Sequence, residues 1–276
     1  MTTERRPAGP TWYGERRHTD AGISSVVLSV CAISGTVTLV GGGAAGARAA
    51  LVPELLAMAN LVLRNPADAA ALEVLGSLTI QVHGAPLGVA VDDDGAVTMA
   101  ATNKLTVSSE TRQRVRYLAV AGGIEPHFGT SGPGHPVHVG ASLRPGGLRG
   151  LLVGGPGRID LHLDDAVGVR PGPDLARFAP GAFDALCRSR CQVLPGGDRV
   201  TVKLAAGGAT LAPTSAAAGS PLTRGAIVVA PDGTLLVAGP DHASAPAHPV
   251  LALVDDADIG RLAARAAGSA VTFAAR

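Results

Sequence analysis

The last third of the chain holds the residues best suited to do chemistry: Asp198, Arg199, Asp241 and His248. Asp241 and His242 open a Pro- and Ala-rich loop that ends at His248. A carboxylate beside an imidazole can orient a general base; the plainer reading is a polar loop. Asp198-Arg199 follows Gly196-Gly197 at the mouth of an expected strand. Such a pair can bind an anion, or form an exposed ion pair of little energetic worth. His127, His135 and His138 share one glycine-rich loop. A metal needs converging imidazoles, each held by a further partner, and Glu125 is the one carboxylate nearby in sequence, so no metal is expected. Cys187 and Cys191 are spaced for a redox or metal pair. Zinc usually takes four ligands, and with Cys31 the only other cysteine there is no second pair. An odd, small cysteine count suits a reducing compartment, so the chain reads as cytoplasmic. Gly41-Gly42-Gly43 has the strand-to-helix context of a phosphate cradle, without the Gly-Lys-Ser/Thr ending or the dinucleotide spacing. No Gly-x-Ser-x-Gly elbow occurs.

These groups need elements to position them. Leu51, Leu55, Met58 and Val62 fall on one helical stripe, with Pro53 and Glu54 suited to a first turn. The helix must stop before Asn65-Pro66, and Asn65 is expected to cap a second, short helix with Pro66 at its first position. Leu78, Ile80 and Val82 alternate with polar residues, which predicts a half-buried strand over 75–83. Upstream, 22–40 reads as two strands with a turn at Gly35. Asp92-Asp93-Asp94-Gly95 reads as a solvated turn, more than a cation site. Strands are expected at 114–121, 199–204, 250–254 and 270–273, with the second half resuming at 160–169 and helices near 180–190 and from Asp255 or Asp256 to Arg265. Pro231-Asp232-Gly233 between two apolar runs is the clearest hairpin. Residues 125–158, rich in Gly, Pro and His, read as a long loop or a set of short strands. Strands outnumber helices and are mostly joined by turns, so the expected fold class is β-rich α+β with barrel-like sheets.

Bulk properties narrow the function classes. The net charge of +1 sets up no field for nucleic acid or acidic lipid. With 46% hydrophobic and 16% charged residues, 276 residues make a folded protein with a substantial core. Aromatics are 3%, so that core is mostly Ala, Val and Leu. Residues 1–21 read as a disordered tail. Arg16-Arg17, the apolar run from Ile23 and the small residues at 45–49 resemble an export signal. The serines and threonines breaking that run favour strands instead, and no membrane span is expected.

Two segments resemble signatures of one family. They are Ala59–Glu73, with its Asn65-Pro66-Ala67-Asp68 centre, and Arg116–Ile124, which contains Tyr117 and Gly122-Gly123. Gly225-Ala226-Ile227 with Pro231-Asp232-Gly233, and Asp198-Arg199 with Lys203-Leu204, add to the likeness. The family is the biotin-dependent carboxyltransferase-like group. It includes a component of bacterial 5-oxoprolinase, the second half of the urea carboxylase carboxyltransferase domain, and proteins labelled allophanate hydrolase subunit 2. The likeness runs from about Val26 to Phe273. It implies cyclophilin-like β-barrel subdomains, here over 22–276 with a subdomain boundary near 160–195. It also implies a sister subunit that forms the other half of the site, sometimes a further subunit, and a small-molecule amide as substrate. ATP or carboxybiotin would enter through that complex, since no motif here binds either directly. The expected function is thus a divergent component of an amide-processing complex, working by ATP-dependent lactam hydrolysis or carboxyl transfer. The alternative is a non-catalytic paralogue that binds or regulates a partner. Departures favour divergence. Where the family has Thr-Val-Gln-Asp-Leu-Gly-Arg, this chain has Thr36-Val37-Thr38-Leu39-Val40-Gly41-Gly42. The family's late-hairpin Gln is Val228, and its Thr-Thr-Gly-Gly-Tyr-Pro loop is Ser244-Ala245-Pro246-Ala247-His248-Pro249. Such replacements keep packing and remove charge stabilisation.

Overall fold

Two long strands organise the first half: β1 (Val27–Val40) and β2 (Ala71–His83) pair antiparallel along nearly their whole lengths. The computed structural model describes residues 26–42, 48–92, 94–109, 113–125, 136–146, 161–163, 166–208, 211–214, 219–243 and 248–276. The tail at 1–21, the glycines at 43 and 46, His127, His135 and most of 125–158 lie outside the described residues. Around the long pair stand β3 (Leu87–Val91), β4 (Ala96–Met99), β5 (Lys104–Ser108), β6 (Arg116–Val120) and β7 (Ser142–Leu143). The order across this sheet is β4-β3-β6-β2-β1-β7, with β5 also on β2. The near half of β2 pairs with β6 and its far half with β5.

The expected turn at Gly35 is not there: β1 continues through it. Gly35 stands opposite Gly76, and both have positive φ, +92° and +117°. A Cβ on Gly35 would lie 2.1 Å from the Leu75 carbonyl oxygen, and one on Gly76 equally close to that of Ser34. Two facing glycines therefore let the paired strands bend together without breaking the ladder. A glycine alone in a strand pattern reads as a turn, but a glycine pair across a ladder marks a shared bend.

The helix α1 (Pro53–Val62) starts as expected, with Pro53 in its first turn and Leu55, Leu56, Ala59 and Val62 buried. The second short helix does not form. Asn65 is buried, and its amide does long-range work instead of capping. It donates to Asn60 Oδ1 and the Val120 carbonyl, and accepts from the Gly122 N–H. Asn60 donates onward to the Ala69 carbonyl at 2.8 Å. These bonds hold 65–70 as a loop against β6, and β2 consequently begins at Ala71, earlier than its alternation suggests.

The acidic turn at 92–95 is solvated only in part: Asp94 is exposed, but Asp92 is not. Asp92 is 1% exposed and pairs with Arg116 Nε, while its Oδ1 accepts the Tyr117 N–H at 2.7 Å. Burial pushes its carboxyl up to about 6, against the pull of Arg116 and the Tyr117 amide.

The second half is a closed barrel, in the order β10-β12-β11-β13-β8-β14-β9. Its strands are β8 (Val167–Pro171), β9 (Arg190–Val193), β10 (Thr201–Ala205), β11 (Ala226–Val229), β12 (Leu235–Ala238), β13 (Val250–Val254) and β14 (Ala270–Ala275). β8 and β14 run parallel, and the other pairs antiparallel. Two short helices, α2 (Ala182–Arg188) and α3 (Asp256–Ala264), pack on it. This is the expected β-rich α+β architecture with barrel subdomains. One apolar cluster runs without interruption from α1, through Leu75 and Tyr117, into the interior of the barrel. A second fills the first sheet around Leu28, Leu72, Ile80 and Leu118. None of the described helices is long and apolar enough to cross a membrane.

Candidate functional site

Arg199 lies just ahead of β10, where the two halves meet, and 5% of its side chain is exposed. Its Nε donates to Asp241 Oδ2 at 2.7 Å, and its Nη1 to Glu73 Oε1. Its Nη2 donates to the Ala49 carbonyl at 2.8 Å. Asp241 Oδ2 also accepts from Arg48 Nη1 at 2.6 Å. Charges therefore alternate, Arg48, Asp241, Arg199, Glu73, from a surface end to a buried end. Arg48 is 41% exposed and Asp241 21%, while the Glu73 side chain is wholly covered.

The buried end is tied to the backbone. Glu73 Oε2 accepts the Leu51 N–H at 2.8 Å and the Tyr117 hydroxyl at 2.7 Å. The Tyr117 oxygen accepts the Val52 N–H at 2.9 Å. Leu51 and Val52 lead into α1, so the network fixes where that helix begins. Burial, with the Glu73 charge beside it, drives the Tyr117 hydroxyl well above its usual range, which keeps it a neutral donor. Burial works against the Arg199 charge, but the contacts to Asp241 and Glu73 outweigh it and hold the proton more tightly.

The four residues singled out in the sequence part company here. Arg199 and Asp241 are brought together. The Asp198 carboxylate accepts the N–H groups of Val200 and Thr201, at 2.8 and 2.9 Å, and shapes the entry to β10. His248 is half-buried at the end of the 244–247 segment, which lies outside the described residues. The ring nitrogens of His242 face the Gly239 and Leu222 carbonyls at 2.7 and 3.1 Å. Among the described residues neither histidine has a hydrogen bond to Asp241, whose carboxylate is taken by the two arginines. Sequence reasoning missed Arg48, Glu73 and Tyr117. Glu73 did carry a signal: a lone acid in the apolar run Ala71-Leu72-Glu73-Val74-Leu75 must find a buried partner.

The other candidates are more ordinary. The Gly42 and Gly41 N–H groups donate to the Asp68 and Arg48 carbonyls, so those two amides of the glycine turn are spent and do not fit a triphosphate. Cys187 lies on α2 and Cys191 on β9, both as free thiols. Burial pushes Cys191 up to about 11 and raises Cys187 as well, away from the reactive thiolate. His138 is exposed, and its two loop companions are outside the described residues.

Comparison with known proteins bears on the whole arrangement. Residues 153–275 match the family described as carboxyltransferase domain, subdomain A and B. No match was found among curated proteins. Among solved structures, the chain is similar to TTHA0988, with a TM-score of 0.73 and 25% identity, over 91% of this chain and 56% of that one. It is similar in fold to urea carboxylase of Kluyveromyces lactis, with a TM-score of 0.72 at 16% identity, over 92% of this chain and 28% of that one. The urea amidolyase of K. lactis gives 0.71 at 16%, over 92% and 19%. The chain thus spans little more than half of TTHA0988 and a smaller share of the other two. The motifs at 59–73 and 116–124 lie outside the 153–275 match, so the likeness to the carboxyltransferase domain family is carried by the family model over the second half and by sequence resemblance over the first.

Proposed function

We propose that this chain is one component of an amide-processing system of the 5-oxoprolinase or urea-amidolyase type, its site completed by a sister subunit. The observation that carries the reading is the family match over 153–275, which contains Asp198, Arg199, Asp241 and His248. Support also comes from the proteins of like fold, which are all longer than this chain. The surface end of the charge network is where a substrate would meet it. Arg48, partly exposed, offers a guanidinium to a carboxylate or to the oxygen of a polarised amide. Asp241 holds Arg48 in place, and Arg199 is a positioning residue that fixes Asp241. His248 would enter from the neighbouring loop as the proton-handling group. ATP or carboxybiotin belongs to the rest of the complex in this reading, because the described part of the glycine turn does not fit a triphosphate. No step is assigned to either.

The test is to purify the chain with and without its sister subunit, then assay ATP-dependent ring opening of 5-oxoproline and biotin-dependent carboxylation of urea. Turnover by the complete complex, reduced at least about tenfold by Arg48→Ala with an unchanged melting temperature, is expected. No turnover in either assay by a complex that does assemble would overturn it. One observation favours a second reading, the non-catalytic paralogue: all three guanidinium nitrogens of Arg199 are already bonded to protein groups. Loss of turnover in Asp241→Ala, with the fold intact, would eliminate that alternative.

A further inference from the structure

Among the described residues, β4 and β5 are each hydrogen-bonded along one side, β4 to β3 and β5 to β2. Between them the first sheet opens into a slot of about 240 Å³. Its walls are apolar: Val89, Met99, Leu105 and Val107 inside, with Val97 at the rim and 62% exposed. At one end stand Arg116 and Asp94. The slot shares no lining residue with the Arg199 network. Arg116 and Tyr117 are successive residues of β6 and point to opposite faces, so one strand serves the slot and the network separately.

The polar end is built asymmetrically. Arg116 Nε is held by Asp92, which is buried, and Nη2 by Asp94, whose side chain is 46% exposed. Nη1 makes no hydrogen bond among the described residues. The outer edge of this guanidinium, Nη1 with Nη2, is the fork that takes a carboxylate through two parallel bonds. A ligand carboxylate arriving there exchanges with Asp94 and leaves the Asp92 anchor untouched, so Arg116 never becomes an unpaired cation. The buried Asp92 aims the fork and is not displaced. The hydrocarbon of such a ligand would lie against the valines, methionine and leucine. An apolar cavity of about 150 Å³ accepts benzene, so this slot has room for a ring or branched chain of about eight to ten heavy atoms.

We infer that the slot between β4 and β5 binds a small apolar carboxylate, an aromatic or branched acid, with its carboxylate on the Arg116 fork. This goes beyond the proposed amide chemistry and stands or falls independently of it. Phenylacetate is a suitable probe and phenylacetamide its neutral counterpart. Both are titrated into the full chain and followed by NMR shifts of backbone amides in β4 and β5. Phenylacetate is expected to saturate, with the amide binding at least about tenfold more weakly. Asp94→Ala removes the competing carboxylate from a largely exposed position, so it should tighten phenylacetate about two- to fivefold and leave the amide unchanged. Equal binding of acid and amide, no tightening in Asp94→Ala, or shifts that never saturate would each overturn the inference. A variant with the rim closed, Val97→Trp, should lose phenylacetate binding while keeping the wild-type melting temperature; unchanged binding would also count against the slot.

Discussion

Arg199 keeps its charge at 5% side-chain exposure because Glu73 and Asp241 bind it from two sides. Removing one partner of a buried pair leaves the other charge uncompensated, at about 3–5 kcal/mol. Glu73→Gln is therefore expected to lower the unfolding free energy by about 3 kcal/mol, read by urea denaturation. The solvent-facing Arg48→Ala should cost less than about 1 kcal/mol. Asp92 gives a pH signature of its own. Its carboxyl moves from 3.8 to about 6 on folding, so the folded chain binds that proton more tightly than the unfolded chain does. Stability from this group is present at low pH and is lost as pH rises through that window, by about 3 kcal/mol in all. Asp92→Asn cannot ionise, so its stability relative to wild type should improve between pH 4 and pH 6 and level off above. A relative stability independent of pH would show that Asp92 ionises as freely folded as unfolded. At this scale the sequence showed which residues carry charge, not which of them meet. Arg199 and Glu73 stand 126 positions apart, and no local pattern connects them.

Elements were more legible where alternation or periodicity runs unbroken. The β11–β12 hairpin, β13, α3 and β14 lie where their apolar pattern and turn residues place them. The expectation failed where a residue known for one local role performs a tertiary one. Asn65 before a proline reads as a cap, yet its amide is spent on Asn60, Val120 and Gly122. Gly35 reads as a turn, yet it lies inside a strand of 14 residues. This second case predicts a measurable cost. Gly35→Ala puts a methyl into the Leu75 carbonyl at a positive φ, and should destabilise by more than about 1 kcal/mol. The same change at Gly95, also at positive φ but with open space around its Cβ position, should cost less, only the strain of φ. Thermal unfolding of the two variants compares clash with strain directly.

For the whole molecule, the fold class and barrel character followed from many short strands joined by turns, together with the family motifs. The division of labour between halves did not, because it depends on strand order. The first sheet supplies Glu73 and Tyr117, and the barrel half supplies Arg199 and Asp241. The apolar cluster that passes from α1 into the barrel makes the junction continuous core, so the inner end of the charge network, Arg199 and Glu73, sits within packed surroundings while Arg48 meets solvent. A residue list cannot convey that setting, and the setting decides how strongly each charge is held.

The long sequence separations inside that network carry a kinetic consequence. Three of its bonds join positions 126, 150 and 193 residues apart, and its shorter ones still span 22 to 65, whereas the β3–β4 and β11–β12 hairpins close over a few residues each. Loop closure over such spans comes late, after local structure has formed. The charge network should then be absent from the folding transition state and present after it. A chevron of Glu73→Gln is expected to show an unchanged refolding limb and faster unfolding, with a φ-value near zero. In that case the alternating charges act as a latch on the finished molecule: they set how long it stays folded and have no part in how quickly it gets there.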